Sequence, residues 1–398
     1  MPAAAVDLSP ILQVMLAGAG VAAIALVGLW LRTRRDASRQ WLRAATLLTL
    51  FLTFDLVLFG AFTRLSDSGL GCPDWPGCYG SASPVGAKAE IHAAQTAMPS
   101  GPVTHGKAWV EMVHRYLATG VGALILILTV ASWRQHLRRT AGPGALSPWW
   151  PTWTLVWVCI QGAFGAFTVT MRLFPAIVTL HLLGGLLLLV LLAAQVARQS
   201  RASGEDAPSV AVDSMTRAGM LLVAALLAIQ LALGGWVSTN YAVLACTDFP
   251  TCQGSWWPAM RFDQGFQVWR DLGMTSSGDA LSFAALTAIH YMHRLMAYVV
   301  LSALAWLAWR LWRLDGMRKL SRWIAALAAM QLATGLSNVV LDWPLIAALL
   351  HTGGAAALVV CLTWAICSSH AGVPVRQAGR QSRAARVNDA VRGVGSAP

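Results

Sequence analysis

The chain has 398 residues, of which 57% are hydrophobic and only 12% charged, with a formal net charge of +12. Uninterrupted apolar runs such as 182–196 exclude an ordinary soluble domain and indicate a polytopic membrane protein in contact with lipid. The basic excess does not indicate a nucleic-acid partner, because the arginines stand in short segments between apolar runs, where positive charge sets membrane orientation.

Nine candidate spans follow in order, at roughly 11–31, 44–63, 109–133, 149–171, 176–197, 217–238, 285–309, 321–340 and 345–367. Lengths near 20 residues at about 1.5 Å per residue cross an apolar layer of roughly 30 Å. Residues 11–31 are long enough to span and show no small-residue cleavage site, so no cleavable secretory signal is expected. The basic residues Arg32, Arg34, Arg35, Arg39 and Arg43, then Arg134, Arg138 and Arg139, then Arg310, Arg313, Arg318, Lys319 and Arg322, all fall on one side of this arrangement. Arg376, Arg380, Arg383, Arg386 and Arg392 of the tail fall there too, which makes that side cytoplasmic. The N-terminus is then outside, the C-terminus inside, and the loops 64–108 and 239–284 lie on the outer face.

Those two outer loops open with the same stretch. Residues 70–80 read Leu-Gly-Cys-Pro-Asp-Trp-Pro-Gly-Cys-Tyr-Gly, and residues 244–254 read Leu-Ala-Cys-Thr-Asp-Phe-Pro-Thr-Cys-Gln-Gly. The repeat continues into the spans. Gln161-Gly-Ala-Phe-Gly resembles Gln331-Leu-Ala-Thr-Gly, and His181-Leu-Leu-Gly-Gly resembles His351-Thr-Gly-Gly. The expected fold is therefore an all-α polytopic membrane protein of two pseudo-symmetric four-helix transmembrane bundles plus an extra N-terminal transmembrane helix, with a pseudo-twofold axis along the membrane normal. The corresponding segments are 1–43 (extra helix and cytoplasmic loop), 44–200 (first bundle), 201–216 (polar linker), 217–367 (second bundle) and 368–398 (a basic tail expected to be disordered).

Of the seven cysteines, Cys159, Cys361 and Cys367 lie in apolar runs and read as packing thiols. Cys72, Cys78, Cys246 and Cys252 lie in the outer loops, where an oxidising compartment favours the pairs Cys72–Cys78 and Cys246–Cys252. Such pairs either staple each loop as a lid or act as redox couples. Metal binding with help from His92 and His105 lacks a recognisable ligand spacing.

His114, His181, His293 and His351 recur at matched positions in both bundles, near the outer ends of their helices. Paired imidazoles on facing helices suit an iron porphyrin with axial nitrogen ligands on both faces. The glycine pairs Gly184-Gly185 and Gly353-Gly354 are expected to leave room for the flat macrocycle. A tetrahedral zinc site lacks the carboxylate or Cys cluster that would complete it. The bundles differ one helical turn before the ligand: Glu111 precedes His114, whereas His290 precedes His293. A carboxylate there is either paired, to Arg115 or Arg64, or used in chemistry.

Glu111-Met-Val-His114-Arg115, Gly69-Leu70-Gly71-Cys72-Pro73-Asp74-Trp75-Pro76, His181 with its diglycine, His293-Arg294 and His351 together resemble heme A synthase, the COX15/CtaA family of cytochrome oxidase assembly proteins, over roughly residues 44–367. The resemblance implies eight helices in two bundles and an enzyme that oxidises the C8 methyl group of heme O to a formyl group, through a hydroxymethyl intermediate, making heme A for cytochrome c oxidase. It implies that the first bundle takes substrate heme O between His114 and His181, and that the second holds a heme b cofactor between His293 and His351. Arg64, Arg115 and Arg294 become candidate propionate contacts. Glu111 becomes the candidate catalytic residue, as a base or as a stabiliser of positive charge while water adds to the oxidised methyl carbon. The implied setting is a bacterial cytoplasmic membrane, with heme O synthase (protoheme farnesyltransferase) as donor, an electron acceptor that the sequence does not name, and a homo-oligomer compatible with the pattern.

This chain departs from the family pattern in its extra span at 11–31 and in carrying a cysteine pair in both outer loops. The rival functions are a diheme b-type electron-transfer protein and a non-enzymatic heme transporter or assembly chaperone.

Overall fold

The structure is a computed structural model that describes residues 9–33, 38–138, 147–202 and 209–372. Its elements are α1 (Ser9–Thr33), α2 (Ser38–Leu65), α3 (Lys88–Ala97), α4 (His105–Leu137), α5 (Trp149–Thr170), α6 (Pro175–Ala202), β1 (Val210–Val212), α7 (Ser214–Thr239), α8 (Phe262–Gly265), α9 (Phe283–Trp312), α10 (Arg318–Val340), α11 (Leu345–Cys367) and β2 (Ser369–Ala371). Among the described residues, nine helices are long and apolar enough to cross a membrane, and they coincide with the nine expected spans. Most extend a few residues further, because polar caps and arginines continue the helix beyond its apolar stretch. Thr104 caps α4 by accepting the Lys107 N–H, Asp213 caps α7 by accepting from Thr216, and Ser282 caps α9 by accepting from Ala285.

The helices pack as two rings with the same connectivity. In the first ring α2 touches α4, α4 touches α5, α5 touches α6 and α6 closes on α2; in the second, α7, α9, α10 and α11 do the same. Between the rings α6 packs on α11, while α6 also touches α7 and α11 also touches α2. Exchanging the halves maps each of these contacts onto another, as a twofold relation requires. The backbone repeats as well. Positive φ angles occur in pairs: 52° at Asp67 and 53° at Tyr241, 49° at Arg172 and 52° at Asp342, 61° at Leu173 and 60° at Trp343. The two-residue bends after α5 and α10 thus take the same left-handed turn, which leads into the His181 and His351 helices.

The extra helix has a defined place. α1 lies along α4, where Gly18 and Gly120 allow close approach: a Cβ on Gly120 would sit 3.2 Å from the Gly18 carbonyl oxygen. Its second turn also reaches the first cysteine loop, because Val14 is buried with Cys72, Cys78, Ile91 and Met112. α1 therefore buttresses the first half only. At the opposite end of the assembly, β1 and β2 pair in parallel and tie the start of α7 to the end of α11. Disorder was expected for the tail 368–398, yet its residues 369–371 pair with 210–212 of the polar linker, with Ser209 Oγ 2.9 Å from His370 Nδ1. Arg34, Arg35, Arg139 and the five tail arginines lie outside the described residues, as does most of the tail.

Candidate functional site

Each of the four histidines is seated against a glycine of a neighbouring helix. A Cβ placed on Gly60 (α2) would lie 3.0 Å from Cε1 of His114 (α4), and one on Gly165 (α5) would lie 3.4 Å from Cε1 of His181 (α6). In the second half the matching distances are 2.9 Å from Gly234 (α7) to His293 (α9) and 3.2 Å from Gly335 (α10) to His351 (α11). Sequence reasoning missed these four seats. The signal was present in part, since Gly165 and Gly335 end the repeated Gln-containing motifs. The glycine pairs expected to clear the macrocycle do something else. Gly184 and Gly354 give way to the side chains of Gln161 and Gln331, while Gly185 faces Val57 and Gly353 faces Leu58. They serve helix packing, because they point away from the imidazoles toward neighbouring helices.

The His293 and His351 rings lie 6.5 Å apart, centroid to centroid, at an interplanar angle of 77°. Metal–imidazole nitrogen bonds of about 2 Å, with a ring nitrogen about 1.1 Å from its centroid, put two axial imidazoles on one metal about 6.2 Å apart. The spacing of the second pair would admit one iron between His293 and His351. In the first half, Phe59 stacks on His114 at 6.3 Å and 10°. No group of three or more His, Cys, Asp or Glu side chains that could hold a metal ion occurs among the described residues.

The pairs differ in how the rings are held. In the second half, Thr334 Oγ1 donates to the Met330 carbonyl at 2.7 Å and lies 2.9 Å from His351 Nδ1. With its own hydrogen committed, the hydroxyl accepts from Nδ1–H and leaves the His351 Nε2 lone pair for a metal. The Gln230 side-chain amide nitrogen lies 3.1 Å from His293 Nδ1, 3.4 Å from its Nε2 and 3.2 Å from the His293 carbonyl oxygen, so it holds the ring without selecting one nitrogen. In the first half, His114 Nδ1 is buried with no partner, whereas the His181 ring has the Gln161 backbone beside it, as the His351 ring has that of Gln331. Matching Gly60 to Gly234 and Gly165 to Gly335 puts Leu56 opposite Gln230 and Phe164 opposite Thr334, so the first pair has apolar neighbours where the second has polar ones.

Residues 39–363 match the family model described as "Cytochrome oxidase assembly protein" (COX15-CtaA). The chain belongs to this family. A relative in Shewanella oneidensis named heme A synthase is 38% identical over 79% of this chain and 92% of its own length. Others of that name, in Chelativorans sp. and Halalkalibacterium halodurans, are 28% and 27% identical over 79% and 52% of this chain and over 88% and 62% of their own lengths.

In this member of the assembly-protein family the cysteine loops form rigid caps above the two pairs. Disulfides join Cys72 to Cys78 and Cys246 to Cys252, and all four cysteines are fully buried. Inside each loop an aspartate closes the turn: Asp74 accepts the N–H groups of Tyr79 (2.6 Å) and Gly80 (2.7 Å), and Asp248 accepts those of Gln253 (2.6 Å) and Gly254 (3.0 Å). The Thr251 hydroxyl and these N–H groups hold the exposed Asp248 carboxyl down at about 2, below the usual carboxylate range. Gly80 and Gly254 have φ of 69° and 70°, a conformation that glycine adopts without cost.

An arginine next to His114 in one half and next to His293 in the other ties each cap to its helix. Arg115 donates to the carbonyls of Asp74, Pro76 and Gly77, and Arg294 to those of Cys246, Asp248 and Thr251. These donors are thus engaged by loop carbonyls, whatever a propionate would add. Arg64 spans the junction between the halves instead: it donates to the Ser238 carbonyl and stacks over Tyr241 at 3.9 Å. Tyr241 in turn donates to Asp67 at 2.9 Å, and Lys107 pairs with Asp67 at 3.1 Å. Burial alone would raise the Asp67 carboxyl, but these two donors outweigh it and hold it below its ordinary value.

Glu111 is 4% exposed and both its oxygens are occupied. Oε2 accepts the Cys72 N–H at 2.7 Å, and Oε1 is paired with the Arg115 guanidinium. It therefore joins α4, the disulfide loop and Arg115 in one buried cluster. Its counterpart His290 is equally buried, and its Nδ1 has no partner. Of the pairing partners considered for Glu111, the structure selects Arg115 over Arg64.

Proposed function

We propose that this chain is a heme A synthase, which oxidises the C8 methyl group of heme O to a formyl group by way of a hydroxymethyl intermediate. The observation that carries the assignment of roles is the difference between the two imidazole pairs. Rings fixed by Thr334 and Gln230 suit a resident group, heme b, held by His293 and His351. An imidazole with no hydrogen-bond partner at Nδ1, that of His114, suits a substrate that must enter and leave, heme O, held by His114 and His181. The orphaned Nδ1 atom of His114 and the four glycine seats fit residues prepared for a large flat ligand. A resident heme b supplies one-electron redox chemistry next to the substrate half.

The protein's own contribution is placement and charge. His114 and His181 hold the substrate ring, so the methyl group at its rim must react beside the ring and away from the iron's axial positions. Removal of a proton and of two electrons, taken up by a one-electron acceptor outside this chain, followed by water addition at that carbon with loss of a second proton, gives the alcohol. A second round gives a geminal diol, which loses water to the aldehyde, and water is the source of the new oxygen. With both oxygens already accepting hydrogen bonds, Glu111 is better suited to stabilise positive charge developing at the methyl carbon than to abstract a proton freely. The cysteine loop above it excludes bulk water.

The setting we infer is a bacterial cytoplasmic membrane with the disulfide loops on the outer, oxidising side and the arginine-rich end in the cytoplasm. The N-terminus is then outside, and heme O synthase is the source of substrate. The test is pigment extraction after expression in a host that makes heme O but no heme A. Heme A in the extract is the expected result. Return of heme b alone would favour an electron-transfer protein, and unaltered heme O a carrier.

A further inference from the structure

A groove of about 480 Å³ opens on the outside of the helix assembly, where α2 of the first half meets α10 and α11 of the second. Phe54, Leu58 and Phe62 form one wall, and Met330, Leu350 and Gly353 form the other. One lining residue does not belong in an apolar groove. Asp55 lies near the middle of the Trp41–Leu65 span, is exposed on the helix surface, and has no hydrogen bond or ion pair among the described residues. A carboxylate at that depth is costly unless a partner answers it.

The groove adjoins the first imidazole pair, with Phe59 between them. Phe59 lines the groove and stacks on His114, and the next residue, Gly60, seats the same imidazole. Asp55 stands five residues from Gly60 on α2, about 7.5 Å deeper along the helix, a displacement comparable with the reach from a porphyrin's centre to its rim substituents. The second half has no equivalent, since the position matching Asp55 is Ile229. The carboxylate therefore accompanies only the pocket assigned to substrate.

We propose that this groove holds the isoprenoid tail of heme O, with Asp55 bonded to the hydroxyl at the root of that tail; the inference rests on the heme A synthase reading above. Heme O differs from heme b by this hydroxyl-bearing farnesyl substituent. At the packing density of protein interiors, near 0.75, a farnesyl chain fills roughly 350 Å³, within the volume available. Selection works through the buried methylenes and one hydrogen bond, neither of which heme b can supply. The tail also restricts rotation of the ring in its plane, since one rim position is anchored toward Asp55.

The test uses the full-length protein in detergent, purified from a host that supplies heme b but no heme O, so that added porphyrin reports on the first pocket. Heme O and heme b are titrated separately and followed in the Soret band. Wild type is expected to prefer heme O by about tenfold or more. Asp55→Leu and Gly353→Leu, whose Cβ would already press on Leu58 Cδ2 at 2.8 Å, are expected to bind heme b as wild type does and to lose the preference. Intact heme b binding is the control for folding. A preference unchanged in both variants overturns the proposal. So does loss of a co-purifying phospholipid, or of a dimer, with the preference intact, since the groove would then hold lipid or a second copy. Heme A formation with an unchanged preference sinks the tail site alone, whereas no heme A from wild type sinks the enzymatic reading.

Discussion

Thr334→Val removes one oxygen from the second pocket with almost no change in side-chain volume. The lost Thr334 Oγ1 bond to the Met330 carbonyl is a local helix contact and matters little. The lost 2.9 Å contact leaves His351 Nδ1–H buried without an acceptor, a cost of about 1–3 kcal/mol. Partners of metal-ligating histidines typically carry 10–100-fold of affinity, and a loss of about that size is expected here for the resident heme. Phe164→Thr makes the reverse change, offering an acceptor to His181 Nδ1, and should slow the exchange of heme in the first pocket. The assay transfers heme from detergent-purified protein to excess apomyoglobin and separates slow and fast phases in the Soret band. Wild type should show one slow and one fast phase. Thr334→Val should accelerate the slow phase, and Phe164→Thr should retard the fast one. An unaltered slow phase in Thr334→Val, with an unaltered fast phase in Phe164→Thr, would refute the idea that polar partners distinguish the two pockets.

Glu111→Gln keeps an acceptor for the Cys72 N–H but removes the charge facing Arg115, which retains its three loop carbonyls. The variant should fold and bind heme yet stall at heme O or the alcohol, and a wild-type yield of heme A would take Glu111 out of the mechanism. Gly234→Ala should displace His293 and alter the bound-heme spectrum, because its Cβ would sit 2.9 Å from Cε1; Gly165→Ala, at an ordinary 3.4 Å from His181, should be nearly silent. Equal effects would contradict the seating geometry. Replacing Cys72 and Cys78 by Ala should lower the unfolding temperature, given about 2 kcal/mol for so short a closure, while heme A production persists because Arg115 and Asp74 still hold the loop. Activity that vanishes in this variant without loss of bound heme would point to a redox role. Asp248 has its carboxyl depressed to about 2 from an ordinary 3.8, so its support of the second cap is complete above the ordinary value and disappears as pH falls toward about 2. Pepsin cleavage of residues 244–262 should therefore rise across that window in wild type and be flat in Asp248→Asn.

Much of this protein could be read directly from its residues. Lipid imposes a minimum apolar length on every span, so the nine helices and their order followed from composition alone. The two copies of the cysteine stretch and the four matched histidines announced two similar halves, because a repeated backbone needs repeated turn residues and repeated ligands. The break in that symmetry at Glu111 and His290 was equally plain. What the residues could not reveal was rotation. A helix that is apolar on all sides carries no sequence record of which face meets which neighbour. The diglycines therefore suggested room for a macrocycle, whereas the seats are Gly60, Gly165, Gly234 and Gly335. For the same reason Arg64 could be placed in a pocket, although it bridges the two halves, and Thr334, Gln230 and Asp55 attracted no notice. Composition and repetition determined the spans, the halves and the four matched histidines. Only the packing of one helix against the next decided which imidazoles are held, which one is free, and which carboxylate is left facing an apolar groove.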